Sequence, residues 1–253
     1  DEAFFAGDAK HESVLKTMIT DTMIPIESKG IDTEQTRNYT HLILASNSEW
    51  VIPAGAVERR FFVLDVTNKS KQNLNYFEVL ANQMEKGGGR EALLYYLKNV
   101  DLKNWNVRTV PQTEALARQK VWTLDPMQEW WYTKLDTGAI MPDVPYWSGE
   151  VEVSDLVADY IEYTKAFNVA RRGNATKLGR FLTTICPVIE RTQITRMIEE
   201  RIEGRLEVKK LRPYVYKFPV LELCRHYWEE KMGNAFWSVT PEEESRVRNE
   251  HEY

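Results

Sequence analysis

The sequence predicts an α/β front, a helical middle and a C-terminal unit of helices followed by a basic hairpin. Three observations lead there. Short apolar runs, HLILA at His41 to Ala45 and FFVLDV at Phe61 to Val66, read as strands buried on both faces, as in a parallel sheet between helices. From Lys71 the apolar residues recur at helical spacing instead. Beyond a stretch rich in Pro and Gly, Met141 to Gly149, two helical patterns precede two strand-like runs around a basic turn. The expected units are residues 1–68, 69–148 and 149–253.

Within the first unit, Asp8 can cap a helix that places Val14, Leu15, Met18 and Ile19 on one face. Met23 to Ile26 and Arg37 to Thr40 flank the polar turn Glu27-Ser28-Lys29-Gly30 and suggest a hairpin. Gly30 supplies the permissive backbone at its tip.

In the middle unit, Leu74, Phe77, Leu80, Ala81 and Met84 share one helical face, and Gly87-Gly88-Gly89 ends that helix. A second helix restarts at Glu91 to Leu97. Pro111 opens a third, with Ala115, Leu116, Gln119 and Trp122 on one face, and Trp130-Trp131 follow Pro126.

In the last unit a helix runs from Val153 to Phe167. A polar connection, Asn168 to Asn174, leads to a second helix carrying Lys177, Arg180 and Phe181. Leu206 to Val208 and Tyr214 to Phe218 flank the turn Lys209-Lys210-Leu211-Arg212-Pro213. Helix, turn, helix and basic hairpin is the layout of a winged-helix module.

Composition narrows the class. Over 253 residues, 43% hydrophobic and 28% charged side chains suit a soluble chain with a real core. No apolar run approaches transmembrane length. Two cysteines without a CxxC pair fit a reducing cytoplasm, and Cys224 with His226 is at most half a metal site. Eight Trp and twelve Tyr suit either a core or base stacking, and composition does not choose. The net charge of −5 argues against a uniformly basic nucleic-acid binder. Locally the sign reverses: from Ala170 to Lys217 twelve Lys/Arg face five Glu. Phosphate binding needs such a local surface rather than a positive total.

The candidate chemistry begins at Asp1-Glu2. Adjacent carboxylates at a strand end serve nucleotide hydrolysis, the Asp holding the water shell of Mg²⁺ and the Glu polarising the attacking water. A nuclease built on the same pair lacks accompanying carboxylates or histidines at suitable spacing. Ser46-Asn47 ends the HLILA run, where a polar amide can address a γ-phosphate or the hydrolytic water. Glu58-Arg59-Arg60 immediately precedes FFVLDV, where an arginine near a subunit boundary can reach a neighbour's γ-phosphate.

This series, from Asp1-Glu2 through Leu15 to Thr20, Ile26 to Gly30 and His41 to Asn47 to Glu58-Arg59-Arg60-Phe61-Phe62-Val63, resembles the superfamily-three AAA+ helicases. More closely, it is similar to the helicase portion of phage and plasmid primase-helicases, including the primase-polymerase type. The resemblance covers roughly residues 1–66 and implies part of a P-loop NTPase core over 1–68. It makes Asp1 the Walker B metal ligand, Glu2 the catalytic base, Lys29 a DNA-gripping residue and Asn47 sensor 1. Arg60, or alternatively Arg59, becomes the trans-acting finger. Arg108 to Leu135 also looks like the segment following that core, and 149–253 like its appended winged-helix-like domain.

What the resemblance implies is a replicative helicase driven by ATP and Mg²⁺. It would form a hexameric ring of like subunits on single-stranded DNA, in the cytoplasm of a phage-infected or prophage-carrying bacterium. One departure matters: no GxxxxGK[ST] phosphate loop occurs in the sequence. Gly87-Gly88-Gly89-Arg90 lacks the Lys-Ser/Thr and follows a helix, so the chain as written has no cradle for the β- and γ-phosphates and is not expected to hydrolyse ATP. The alternative is a non-catalytic DNA-binding or oligomerisation module. There Arg171, Arg172, Lys177 and Arg180 would lie on or before the recognition helix and Lys209, Lys210 and Arg212 on the wing, with duplex DNA as a further partner.

Overall fold

The computed structural model describes residues 9–26, 32–56, 58–106, 109–166, 174–202, 205–240, 243 and 246–247. Helix α1, Ala9–Thr20, leads into strands β1, Met23–Ile26, and β2, Glu34–Arg37, which pair antiparallel with Met23 opposite Arg37. The expected hairpin therefore exists, but its second strand lies three residues early. Asn38 follows β2: its backbone N–H still donates to Thr22 O at 2.9 Å, and its amide Nδ2 donates to Met18 O and Asp21 O, both at 2.8 Å, tying the hairpin to α1.

The HLILA and FFVLDV runs are not strands, which corrects the parallel-sheet expectation. Every sheet among the described residues is antiparallel. An apolar run becomes a strand only when a neighbouring backbone completes its ladder. For the second run and the loop before it, side chains of helix α4, Glu114–Val121, supply the hydrogen bonds instead. Gln119 accepts from Val51 N at 2.7 Å and donates to Glu49 O at 2.6 Å. Thr123, just past the helix, donates to Ala54 O at 2.5 Å, and Thr113, its N-cap, donates to Val63 O at 2.6 Å. Around these anchors Leu15, Ile52, Ala54, Phe61 and Leu116 form a small core. Trp122, expected on the buried face of α4, caps its C-terminus and stays exposed.

Helices α2, Leu74–Lys86, and α3, Gly89–Asn99, pack on each other across the glycine turn, where Gly88 takes a left-handed conformation. Neither contributes a buried residue.

The main core begins at α5, Pro126–Thr137. Its start follows local rules: Pro126 opens the first turn, and Asp125 and Gln128 form a reciprocal capping box. Strand β3, Glu150–Glu152, leads directly into α6, Val153–Ala166, and then α7, Ala175–Ile185. Strands β4, Glu190–Gln193, β5, Arg196–Ile202, β6, Arg205–Leu211, and β7, Tyr214–Lys217, follow, and α8, Leu221–Met232, closes the fold. The sheet order is β3-β7-β4, while β5 and β6 pair separately as a projecting hairpin.

One apolar cluster unites α5 to α8. Trp130, Trp131 and Leu135 meet Leu156, Leu178, Leu182, Phe218, Cys224 and Trp228. The Met141 to Gly149 stretch, expected as a linker, carries Ile140's neighbour segment into that core: Trp147 is buried, and its indole N–H donates to Pro219 O at 2.8 Å. Packing thus runs across residue 149. Four of the eight tryptophans (130, 131, 147 and 228) are core residues, with Trp131 5.8 Å from Phe218 and 5.9 Å from Trp147 between ring centres. Two buried cations brace the helices. Lys134 pairs with Asp159 at 2.6 Å, and Arg225 donates to Leu135 O at 2.7 Å, satisfying a carbonyl in the last turn of α5, and to Val239 O at 2.9 Å. Among the described residues no helix is long and apolar enough to cross a membrane.

Candidate DNA-binding surface and arginine strip

Helix α7 is divided by its periodicity. Leu178, Leu182 and Ile185 enter the core, while Lys177 and Arg180 stay exposed. The Asn174 side chain accepts from Lys177 N at 2.9 Å and fixes the helix start. Arg171 and Arg172 lie outside the described residues.

The hairpin grows out of the three-stranded sheet. Ile194 N donates to Pro213 O at 3.0 Å and Gln193 Nε2 to Arg212 O at 2.9 Å, so the ladder continues between β4–β7 and β5–β6. Lys209, Lys210 and Arg212 are all exposed. Register assigns sides: Lys209 stands opposite Ile198 and Lys210 opposite Met197. Successive strand residues point to opposite faces, so Lys209 and Lys210 cannot both address one surface of a ligand. Two arginines missed by the sequence reading sit at the hairpin base. Arg191 lies over the Tyr214 ring at 4.1 Å, and Arg196 pairs with Glu152 of β3. Their partners are 23 and 44 residues away in sequence, so no local signal marks them.

The second cluster is the strip at Glu58-Arg59-Arg60. Glu58 is buried, and one carboxylate oxygen accepts from the backbone N–H of Arg59 at 2.9 Å and of Arg60 at 2.7 Å. The Arg60 guanidinium also reaches Glu58, at 3.4 Å, and is half-buried; Arg59 is exposed. Lys120 is buried nearby on α4. Burial pushes its amine below the usual lysine range, and the Glu58 charge partly restores it. Lys120 also lines a small cleft with Ala56, Trp228 and Gly233, where the first unit's loop meets the end of α8. Asn47 is exposed, within a bend at 47–49, rather than at the end of a strand. Asp1, Glu2 and Lys29 lie outside the described residues.

The thiol and imidazole weighed as half a metal site do not converge: Cys224 is buried and His226 is exposed, 3.4 Å from Glu230. Cys224 instead faces Cys186, with sulfurs 3.9 Å apart in the core. Among the described residues no group of three or more His, Cys, Asp or Glu is placed to hold a metal ion.

Comparison with known proteins adds one match. Residues 1–60 match the model of a family of unknown function, DUF5906, which covers the same stretch as the acidic pair, the Lys29 turn, Asn47 and the arginine strip. No curated protein and no solved structure matches the chain.

Proposed function

We propose that this chain is the DNA-contacting C-terminal portion of a phage-type replicative helicase of the superfamily-three AAA+ class, with residues 126–232 as a winged-helix-like module. The observation that carries this reading is the order of α5, β3, α6, α7 and a hairpin, with sheet order β3-β7-β4 and exposed basic residues on α7 and the hairpin. A helix presenting cations beside a projecting β-ribbon is suited to a phosphate backbone, since a β-ribbon fits a groove and Lys/Arg release its counterions.

In this reading residues 1–68 supply part of a nucleotide site: Asp1 for Mg²⁺, Glu2 for the attacking water, Asn47 as sensor and Lys29 toward single-stranded DNA. A phosphate loop would have to come from outside these 253 residues. Of the two arginines, Arg59 suits a finger better. Arg60 is engaged by buried Glu58, whereas Arg59 is exposed next to it. Like subunits in a ring would let it reach a neighbouring site.

The test is fluorescence anisotropy of labelled single-stranded and duplex DNA against KCl, for the wild type and a Lys209→Ala, Lys210→Ala, Arg212→Ala variant. With Lys209 and Lys210 on opposite faces, loss of up to two phosphate contacts should flatten the plot of log K against log salt by about 0.9 per contact on duplex and about 0.7 on single strands. An unchanged slope, or no binding by the wild type at low salt, removes the DNA-binding reading.

A further inference from the structure

We propose that the α2–α3 hairpin is a docking arm for a second copy of this chain, seated on that copy's apolar strip at residues 41–66. The first observation is exposure. Helices of 13 and 11 residues are marginal in water unless an apolar face is packed. Here Leu74 is 81% and Tyr95 73% exposed, and neither helix buries a side chain. Between Leu74 and Trp105 thirteen large apolar residues are open to solvent. With aromatics alone worth about 150–250 Å² each when buried, the arm presents roughly 1,500 Å² of apolar surface. Ordinary monomers tolerate patches of about 300–600 Å². Half of the arm's surface matches the roughly 800 Å² per partner of a stable interface.

Charge selects the kind of partner. From Leu74 to Trp105 four acidic residues balance four basic ones, so nothing draws this surface to nucleic acid or anionic lipid. A polypeptide fits. A like copy is favoured because the same chain carries a second, dissimilar apolar surface. Ile43 is 97% and Val66 91% exposed, on runs whose backbone joins no strand. Two unlike apolar surfaces on one chain can meet only head to tail, the type of contact that generates rings. Tyr95, Tyr96 and Trp105 are the aromatic anchors such a contact uses. The choice of a like copy deepens the ring reading and rests on it. In that arrangement exposed Arg59, within the strip, would lie at the seam between copies.

The experiment uses the 253-residue chain. Sedimentation velocity across about 1–100 µM should show mass rising with concentration for the wild type, with an apparent Kd weakened at least about tenfold in a Leu94→Glu, Tyr95→Glu variant. Circular dichroism and thermal unfolding of that variant should leave the α5–α8 core unchanged. A photo-crosslinker replacing Tyr95, in mixed light and ¹⁵N-labelled protein, should give mixed-isotope crosslinks to residues 41–66. A wild type that stays monomeric, a variant that associates equally well, same-isotope crosslinks alone, or crosslinks elsewhere would each overturn the proposal. The DNA salt slope of the same variant reports separately: the docking arm can fail while DNA binding stands, and the reverse.

Discussion

Burial leaves its clearest chemical mark on two tyrosines. Tyr132 of α5 has its phenol pushed up to about 12, by burial first and by Asp136 second, against an opposing contribution from Arg225. Tyr163 of α6 is likewise raised to about 12, by burial and then by Glu129, whose charge and hydrogen bond both favour the protonated phenol. Each phenol holds its proton more tightly folded than unfolded. Their contribution is therefore complete below the ordinary value of 10 and is lost as pH rises from 10 toward about 12. Thermal midpoints should fall steeply across that window. A Tyr132→Phe, Tyr163→Phe variant should fall less, and an equal fall in both proteins would refute the assignment. Nothing in the sequence announces this, because the partners are set by how α5 faces α6. The same holds for Lys134 with Asp159, and for Arg225 with carbonyls about ninety residues upstream. Arg59 and Arg60 were legible as a pair, but only the position of buried Glu58 separates their surroundings.

Helix starts follow local rules where a short polar side chain and the following turn cooperate, as the structure shows at Asp125 for α5 and Asn174 for α7; from the sequence only the polar connection ending at Asn174 is legible. Replacing Asn174 by Ala leaves the N–H of Lys177 without its cap and should cost about 1 kcal/mol. Urea unfolding should show a lower midpoint with an unchanged slope; a midpoint that does not move would mean that water caps α7 equally well. Strands were less legible. HLILA and FFVLDV carry the composition of buried strands, yet composition cannot supply the neighbouring backbone that makes a strand. Here Gln119, Thr113 and Thr123 satisfy part of that backbone. The basic hairpin is a correction: Leu206 to Val208 was expected to pair with Tyr214 to Phe218 around a turn at 209–213, but Lys209 to Leu211 lie inside β6, which pairs with Arg196–Ile202, while Tyr214–Lys217 joins β3 and β4. Only that register assigns Lys209 and Lys210 to opposite faces.

At the scale of the whole molecule, two cores of unequal size divide the chain. The small one joins α1, the 52–61 loop and α4, and the large one joins α5 through α8. The division near residue 149 suggested by Pro and Gly content misses this, because Trp131, before the flexible-looking stretch, packs on Phe218, beyond it, with ring centres 5.8 Å apart. Helix α8 closes the large core with Leu221, Cys224 and Trp228 and places Arg225 against the end of α5. A chain truncated after Pro219 removes all four and also exposes Leu178 and Leu182 of α7. Such truncation should abolish the cooperative unfolding transition of the large core, as read by tryptophan fluorescence. Retention of a sharp transition would mean that α8 is peripheral.

The closing role of α8 also has a consequence in time. Trp130 and Trp131 leave the ribosome about 100 residues before Trp228, the last buried tryptophan of their cluster. At translation rates of about 5–20 residues per second, the nascent chain holds these indoles without α8 for roughly 5–20 s. Over that interval the pair depends for cover on Trp147, Tyr160 and Phe218, which emerge before α8. The yield of native protein is then set by how quickly α8 arrives as well as by how stable the finished core is.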